Sequence, residues 1–292
     1  MANSNENESS DATGERRLLC FAAHPDDETF GSGSAIIKYA SEGASVYTAC
    51  ATRGDVGEIA EGSDATPETL SAVREQEYYA AGKVLGVKKS ILYGYRDSGM
   101  AGSPDNEHPH AFINVPVDEV VAKLVDTIRE LKPHIVFTFD EGGGYGHPDH
   151  MHASEVAKQA YFAAGDPTYT GSSREPWKPL KFYYHAFPTS LMTKWVMTVA
   201  ANEPDSDIAK IDTSQLGVSD EKITTTLDNA AHKEKRFEAV RVHESQKSPF
   251  DRIPDELAIE WVSTDYFIRV DPPPAAHETG IFESDLFDGL DV

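Results

Sequence analysis

Residues 17–28 read RLLCFAAHPDDE, an apolar run that stops abruptly on a histidine, a proline and three acids. A run with no apolar–polar alternation suits a strand buried on both faces of a parallel sheet. Similar runs recur at Ala44 to Thr52 (ASVYTACAT), Ser90 to Tyr95 (SILYGY), His134 to Phe139 (HIVFTF) and Lys181 to Phe187 (KFYYHAF). Helical patterns lie between them. Gly33 to Ala40 reads as a short apolar helix, closed by Gly43. Thr66 and Pro67 read as the cap and first residue of a second helix, with Leu70, Val73, Ala81 and Val84 on one face and Gly86 at its end. Val117, Val120, Val121, Leu124, Val125, Ile128 and Leu131 form a 3.6-residue stripe that stops before Pro133. A further helix is predicted from about Met151 to Ala164. This alternation predicts an α/β fold: a Rossmann-like, mostly parallel sheet with helices on both faces.

Beyond residue 190 the rhythm breaks. Residues 202–221 are polar and acidic and read as a surface loop, Asp220 to Gln246 as a long charged helix, and the segment from Pro272 as a proline-rich, acidic tail packed on the body. The expected organisation is a disordered tail at 1–15, a catalytic core at 16–190, and a helical or irregular extension at 191–292 in the same domain. The first fifteen residues lack the apolar stretch of a signal peptide.

Composition sets outer limits. The 292 residues are 39% hydrophobic and 26% charged, an ordinary globular balance. Lysine plus arginine total 26 against 49 acids, and 26 − 49 gives −23. A surface this acidic repels phosphate backbones and anionic leaflets, which argues against nucleic acid or a membrane surface as partner. No apolar stretch approaches the ~18 residues of a membrane span. The two cysteines, Cys20 and Cys50, sit in apolar runs and read as buried thiols of a cytoplasmic protein. Assembly into a homo-oligomer is left open.

Two polar clusters interrupt these patterns at positions suited to chemistry. His24-Pro25-Asp26-Asp27-Glu28 follows the first strand, and Tyr145-Gly146-His147-Pro148-Asp149-His150 follows the fourth, behind Gly142, Gly143 and Gly144. In a doubly wound sheet these strands flank the switch point, where ligands bind beyond the strands' carboxyl ends. Histidines and carboxylates converging there form a zinc-type donor set. The blander reading of the first cluster alone is a solvated turn with a capping aspartate. A nucleotide-binding module is disfavoured, because Gly31-Ser32-Gly33 completes no G-x-G-x-x-G pattern and the acids would face a pyrophosphate. A non-catalytic metal-binding protein is the other alternative, although structural zinc sites are closed by four ligands, often cysteines.

AHPDDE at 23–28 and GHPDH at 146–150 resemble the LmbE/PIG-L-like family of zinc-dependent N-deacetylases. TRGDVGE at 52–58, RDSGM at 96–100 and AVRVHESQ at 239–246 extend the likeness over most of the chain, nearest the mycothiol-type deacetylase and thiol S-conjugate amidase branch. The resemblance implies His24, Asp27 and His150 as zinc ligands, with one coordination position open for water. Two histidines and one carboxylate also suit Fe(II). It further implies Asp26 as general base and His147 as the donor that stabilises the oxyanion or protonates the departing amine. Asp149 would hold the His147 ring or cap a helix, and Tyr145 would meet the oxyanion or the substrate. Arg74 and Asp97 would bind the sugar conjugate, Arg74 having a surface ion pair with Glu75 or Glu77 as its alternative. Arg53 points to the same sheet edge, Glu28 reads as a structural acid, and His243 as helix packing. The implied reaction is hydrolysis of an N-acyl amide in a small amino-sugar conjugate, with amide cleavage of a thiol S-conjugate as the alternative.

Overall fold

Leu18, Leu19, Phe21 and Ala22 are almost completely excluded from solvent, which places β1 (Arg17–Ala22) in the middle of a sheet. A computed structural model describes residues 14–292, so the tail expected at 1–15 lies outside the described residues except for Gly14 and Glu15. β1 pairs in parallel with β2 (Ser45–Thr52) on one side and β4 (Ile135–Phe139) on the other. β3 (Lys89–Tyr95) extends the sheet beyond β2, and β5 (Lys181–Ala186) beyond β4. The carboxyl ends of β1 and β4 therefore lie side by side at the switch point, as the α/β reading requires.

The helices begin where local chemistry lets them. α1 (Asp27–Ser41) starts six residues earlier than expected, directly out of the HPDD turn, with Asp27 and Glu28 in its first turn where the helix dipole favours acids. Its backbone leaves helical geometry at Ser32. The carbonyls of Thr29, Phe30 and Gly31 are taken instead by the buried guanidinium of Arg236, at 3.1, 2.6 and 2.8 Å. α2 (Leu70–Leu85) starts later than Thr66, whose carbonyl accepts from the N–H groups of Thr69 and Leu70 in a preceding turn. α3 (Val117–Leu131) keeps the predicted stripe. α4 (Pro148–Ala164) starts before Met151 because Pro148 is favoured at a first helical position and His147 caps it.

The chain after residue 190 departs most from expectation. α5 (Thr189–Asn202) follows β5, and residues 202–221 hold short 3₁₀ turns. In place of one helix over 220–246 stand β6 (Thr225–Asp228) and α6 (Lys233–Val242). The β-branched run Thr224 to Thr226 favours the strand. α7 (Asp255–Ser263) leads into β7 (Thr264–Asp271), which pairs antiparallel with β5 and β6. The extension thus contributes strands as well as helices, and the sheet order is β3-β2-β1-β4-β5-β7-β6 among the described residues. One face packs on α3 and α4, and the other on α1 and on Leu286 and Phe287 from the chain's end. No helix among the described residues is long and apolar enough to cross a membrane.

Candidate active site

The turn after β1 is closed by its own acid. Asp27 Oδ2 accepts from the backbone N–H of Ala23 (3.1 Å) and of His24 (2.6 Å), while His24 O accepts from the N–H of Asp26 (2.9 Å). Across the switch point, Gly143 has φ +65°, and a Cβ there would come within 2.8 Å of the His150 Cβ. The chain can therefore approach α4 closely enough for Gly143 O to meet His150 Nδ1 at 3.1 Å.

These contacts decide the tautomers. A carbonyl only accepts, so His150 Nδ1 carries the hydrogen and Nε2 carries a lone pair. His24 Nε2 faces Asp149 Oδ2 at 3.2 Å and Asp97 Oδ1 at 3.5 Å, so it carries a hydrogen, and in the neutral ring the lone pair is on Nδ1. His24 Nδ1 and His150 Nε2 then stand 3.1 Å apart, lone pair toward lone pair. Asp27 closes the triangle, with Oδ2 3.4 Å from His24 Nδ1 and Oδ1 3.3 Å from His150 Nε2. With both rings neutral, three acceptors face one another and repel, and a proton on His24 Nδ1 or a cation between them removes the conflict. Tetrahedral bonds of ~2.0–2.1 Å separate neighbouring ligand atoms by about 3.3 Å, the spacing this triangle has. The residues fit a divalent metal.

Asp97 and Asp149 stand behind His24. Burial would depress the His24 pKa, but Asp97, Asp149 and Asp27 outweigh it and raise the pKa well above the ordinary value. Without a cation Nδ1 therefore also takes a hydrogen, and a bound cation replaces that proton. Burial would raise Asp27, yet His150 and His24 hold its carboxyl well below the usual range. Asp97 behaves alike: burial opposes ionisation, and the His24 ring and the Gly99 N–H overcome it. Asp26 differs, because burial dominates and raises it despite Arg74. Burial also lifts Glu28 to about 8.

His147 lies beside this triangle. One ring nitrogen from each of His24, His147 and His150 lies within 4.8 Å of the other two, so three imidazoles form a competing donor set. The His147 Nδ1 accepts from the Asp149 N–H at 3.2 Å, which leaves Nε2 to carry the hydrogen of the neutral ring. Burial and the neighbouring rings lower its pKa to about 3, so it is a neutral donor at physiological pH. Tyr145, 45% exposed, sets its ring edge-on to His150 at 5.1 Å between centroids.

Several residues take other partners than the sequence reading gave them. The Asp149 carboxylate does not reach back to His147; it accepts from His24 and from the Ser98 N–H at 2.9 Å, because the second position of α4 points into the sheet end. Asp97 follows β3 as expected, but it is 3% exposed and committed to His24 and Gly99. Arg74 forms no surface pair with Glu75 or Glu77; it is buried, with Nη2 3.0 Å from Asp26 Oδ2 and Nη1 2.7 Å from Gly54 O. Glu77 instead accepts from Ser245. Arg53 stays half-exposed, 3.9 Å from Glu75. His243 packs inside, donating from Nε2 to Thr29 Oγ1 at 3.2 Å. Sequence reasoning gave no role to Gln246, which touches Arg74, Pro25 and His243; the signal lay in the HESQ stretch, which carried the family likeness and was otherwise read as the end of a helix.

Comparison with known proteins adds to this geometry. Residues 19–161 match the family described as PIG-L: GlcNAc-PI de-N-acetylase. A Geodermatophilus obscurus protein named 1D-myo-inositol 2-acetamido-2-deoxy-alpha-D-glucopyranoside deacetylase is 36% identical over 297 residues, covering 95% of this chain and 99% of that protein. A Streptomyces griseus protein of the same name is 36% identical over 290 residues, covering 94% and 89%. Among solved structures, N,N'-diacetylchitobiose deacetylase from Pyrococcus horikoshii aligns with a TM-score of 0.61 at 21% identity, covering 90% of this chain and 88% of that one. GalB, the 4-carboxy-2-hydroxymuconate hydratase from Pseudomonas putida, aligns at 0.60 with 16% identity, covering 90% and 99%. A deacetylase and a hydratase on one fold mean that the reaction has to be argued from the site residues.

Proposed function

The chain belongs to the PIG-L family of GlcNAc-PI de-N-acetylases, and on that premise we propose that it removes the acetyl group from an N-acetylglucosaminyl conjugate, with an inositol glycoside as the substrate class. It is an N-deacetylase of a metal-dependent family, and we assign zinc to His24 Nδ1, Asp27 and His150 Nε2. Fe(II) would suit the same donors. The observation that carries the reading is the convergence of His24 Nδ1, His150 Nε2 and the Asp27 carboxylate at 3.1–3.4 Å, the spacing of ligand atoms around one tetrahedral ion. The free, buried cysteines support a reducing, cytoplasmic setting.

The cation, when bound, would supply Lewis acidity, easing loss of a proton from water and polarising the acyl carbonyl. The protein does the rest. Asp26, adjacent to a ligand but outside the triangle, takes a proton from water as its oxygen adds to the acyl carbon. His147 offers Nε2–H to the oxygen that gains negative charge. The carbon–nitrogen bond then breaks, the proton held by Asp26 passes to the departing nitrogen, and the products are acetate and the free amino sugar. Asp97 and Asp149 keep the His24 hydrogen on Nε2 and its lone pair on the metal side.

The test uses purified, metal-assayed protein on N-acetylglucosaminyl-inositol, free N-acetylglucosamine and an N-acyl thiol conjugate. Equal amounts of amine and acetate are expected from the inositol glycoside, lost on chelation and restored by zinc. Stoichiometric metal with no amine released from any of the three would refute the reading.

A further inference from the structure

We propose that Gln246 is a positioning residue for the deacetylation: with Arg74 it locks Asp26 in place. This rests on the assignment of Asp26 above. Beyond α6 the turn His243 to Gln246 docks between two segments of the core. Gln246 bridges Ile59, Ser245 O accepts from the Ala60 N–H at 2.9 Å, and the Ser245 N–H and hydroxyl donate to Glu77 on α2 at 2.7 and 2.6 Å. The Gln246 backbone is thereby held from both sides.

Its amide can then point only one way. Pro25 O accepts and cannot donate, and it lies 2.9 Å from Gln246 Nε2. The Arg74 guanidinium donates and cannot accept, so it meets Gln246 Oε1. The same Nη2 that serves Gln246 reaches Asp26 Oδ2, while Nη1 is anchored on Gly54 O. The fit around the guanidinium is close, because a Cβ on Gly54 would fall 2.4 Å from Arg74 Nη1 and one on Gly57 2.2 Å from it. Arg74 is 5% exposed and Gln246 is 8% exposed, so the pair faces protein rather than solvent. The glycines of TRGDVGE, the arginine of α2 and the glutamine of HESQ thus form one clamp, with the Pro25 carbonyl and the Asp26 carboxylate as the objects it holds. Loss of Gln246 frees the guanidinium on one side and lets Asp26 turn.

Gln246→Met keeps length and volume while removing all three side-chain hydrogen bonds, to Arg74, Pro25 O and His243 Nδ1. Misplacing a catalytic group by ~1 Å costs up to ~10²-fold, so kcat is expected to fall about 10- to 100-fold, with KM within about twofold and metal content unchanged. The discriminating arm is the double variant with Asp26→Asn. If Gln246 acts through Asp26, Gln246→Met changes the residual rate of Asp26→Asn by less than about twofold. An equal fall in both backgrounds, a rise in KM alone, or an unchanged kcat overturns the proposal. A crystal structure of Gln246→Met reads the clamp without turnover, and so separates this inference from the assigned reaction. Asp26 Oδ2 more than about 4 Å from Arg74 Nη2 is expected, the distance beyond which an ion pair is lost; retention of the contact overturns it.

Discussion

Asp149→Asn tests the claim that His24 is oriented from behind. The wild-type carboxylate is completely buried, and its Oδ2 accepts two hydrogens, from Ser98 N–H at 2.9 Å and from His24 Nε2 at 3.2 Å. An amide must place its oxygen at that position, which puts its NH₂ where Oδ1 now lies. Oδ1 is buried and has no hydrogen-bond partner, so the new donor has no acceptor. An unsatisfied buried donor costs about 1–3 kcal/mol, and the charge-assisted bond to His24 becomes a neutral one. Replacing an outer partner of a metal-bound histidine weakens metal affinity by about 10- to 100-fold, equivalent to about 1.4–2.7 kcal/mol. Asp97 remains 3.5 Å from the same nitrogen, so the lower end, about tenfold, is expected for Asp149→Asn alone, and a further loss when Asp97→Asn is added. Competition against a chromophoric chelator measures it. Affinity within twofold of wild type in the double variant would refute the orienting role.

Other substitutions separate the parts of the site. Asp26→Asn should cut kcat by about 10²- to 10⁴-fold with metal content unchanged, read by steady-state kinetics beside elemental analysis. Gly143→Ala forces a φ of +65° on a residue with a Cβ and drives that carbon against His150, so a stability loss of about 1–3 kcal/mol is expected in denaturant titration, together with weaker metal binding. Glu283 is buried against Lys181 at 2.8 Å and Arg269 at 2.7 Å, far along the chain from the metal ligands. Glu283→Ala leaves the buried Lys181 without a carboxylate and Arg269 with Glu278 alone, and should cost about 3–5 kcal/mol in chemical unfolding, while turnover per folded molecule is retained.

What could be read in the sequence follows from where its physics is local. The strands β1 to β5 are legible because burial on both faces demands continuous apolar runs. β7 reads TDYFIRVD, with Asp265 and Arg269 buried among its polar positions, and these make sense only beside Arg236 and Glu283, which other segments supply. Periodicity alone could not reveal it. The choice of His150 over His147 came from the family resemblance. That His24 and Asp27 meet the histidines of the second cluster was legible because a three-residue spacing and a switch point are short-range and topological facts. The directions of Asp149 and Asp97 were not, since they depend on how the start of α4 sits against the end of β3. Arg74, expected to bind the sugar conjugate or else to form a surface pair, is enclosed by two glycines and Gln246 that other segments supply.

The central claim is that three acceptors, one of them a carboxylate, share one divalent ion. Crystals of the purified protein, measured above and below the zinc absorption edge, test it directly through the anomalous difference map. The account predicts a single strong peak about 2.0–2.2 Å from His24 Nδ1, His150 Nε2 and an Asp27 oxygen. A peak held by the His24, His147 and His150 imidazoles with Asp27 turned away, or no peak in zinc-replete protein, would contradict it.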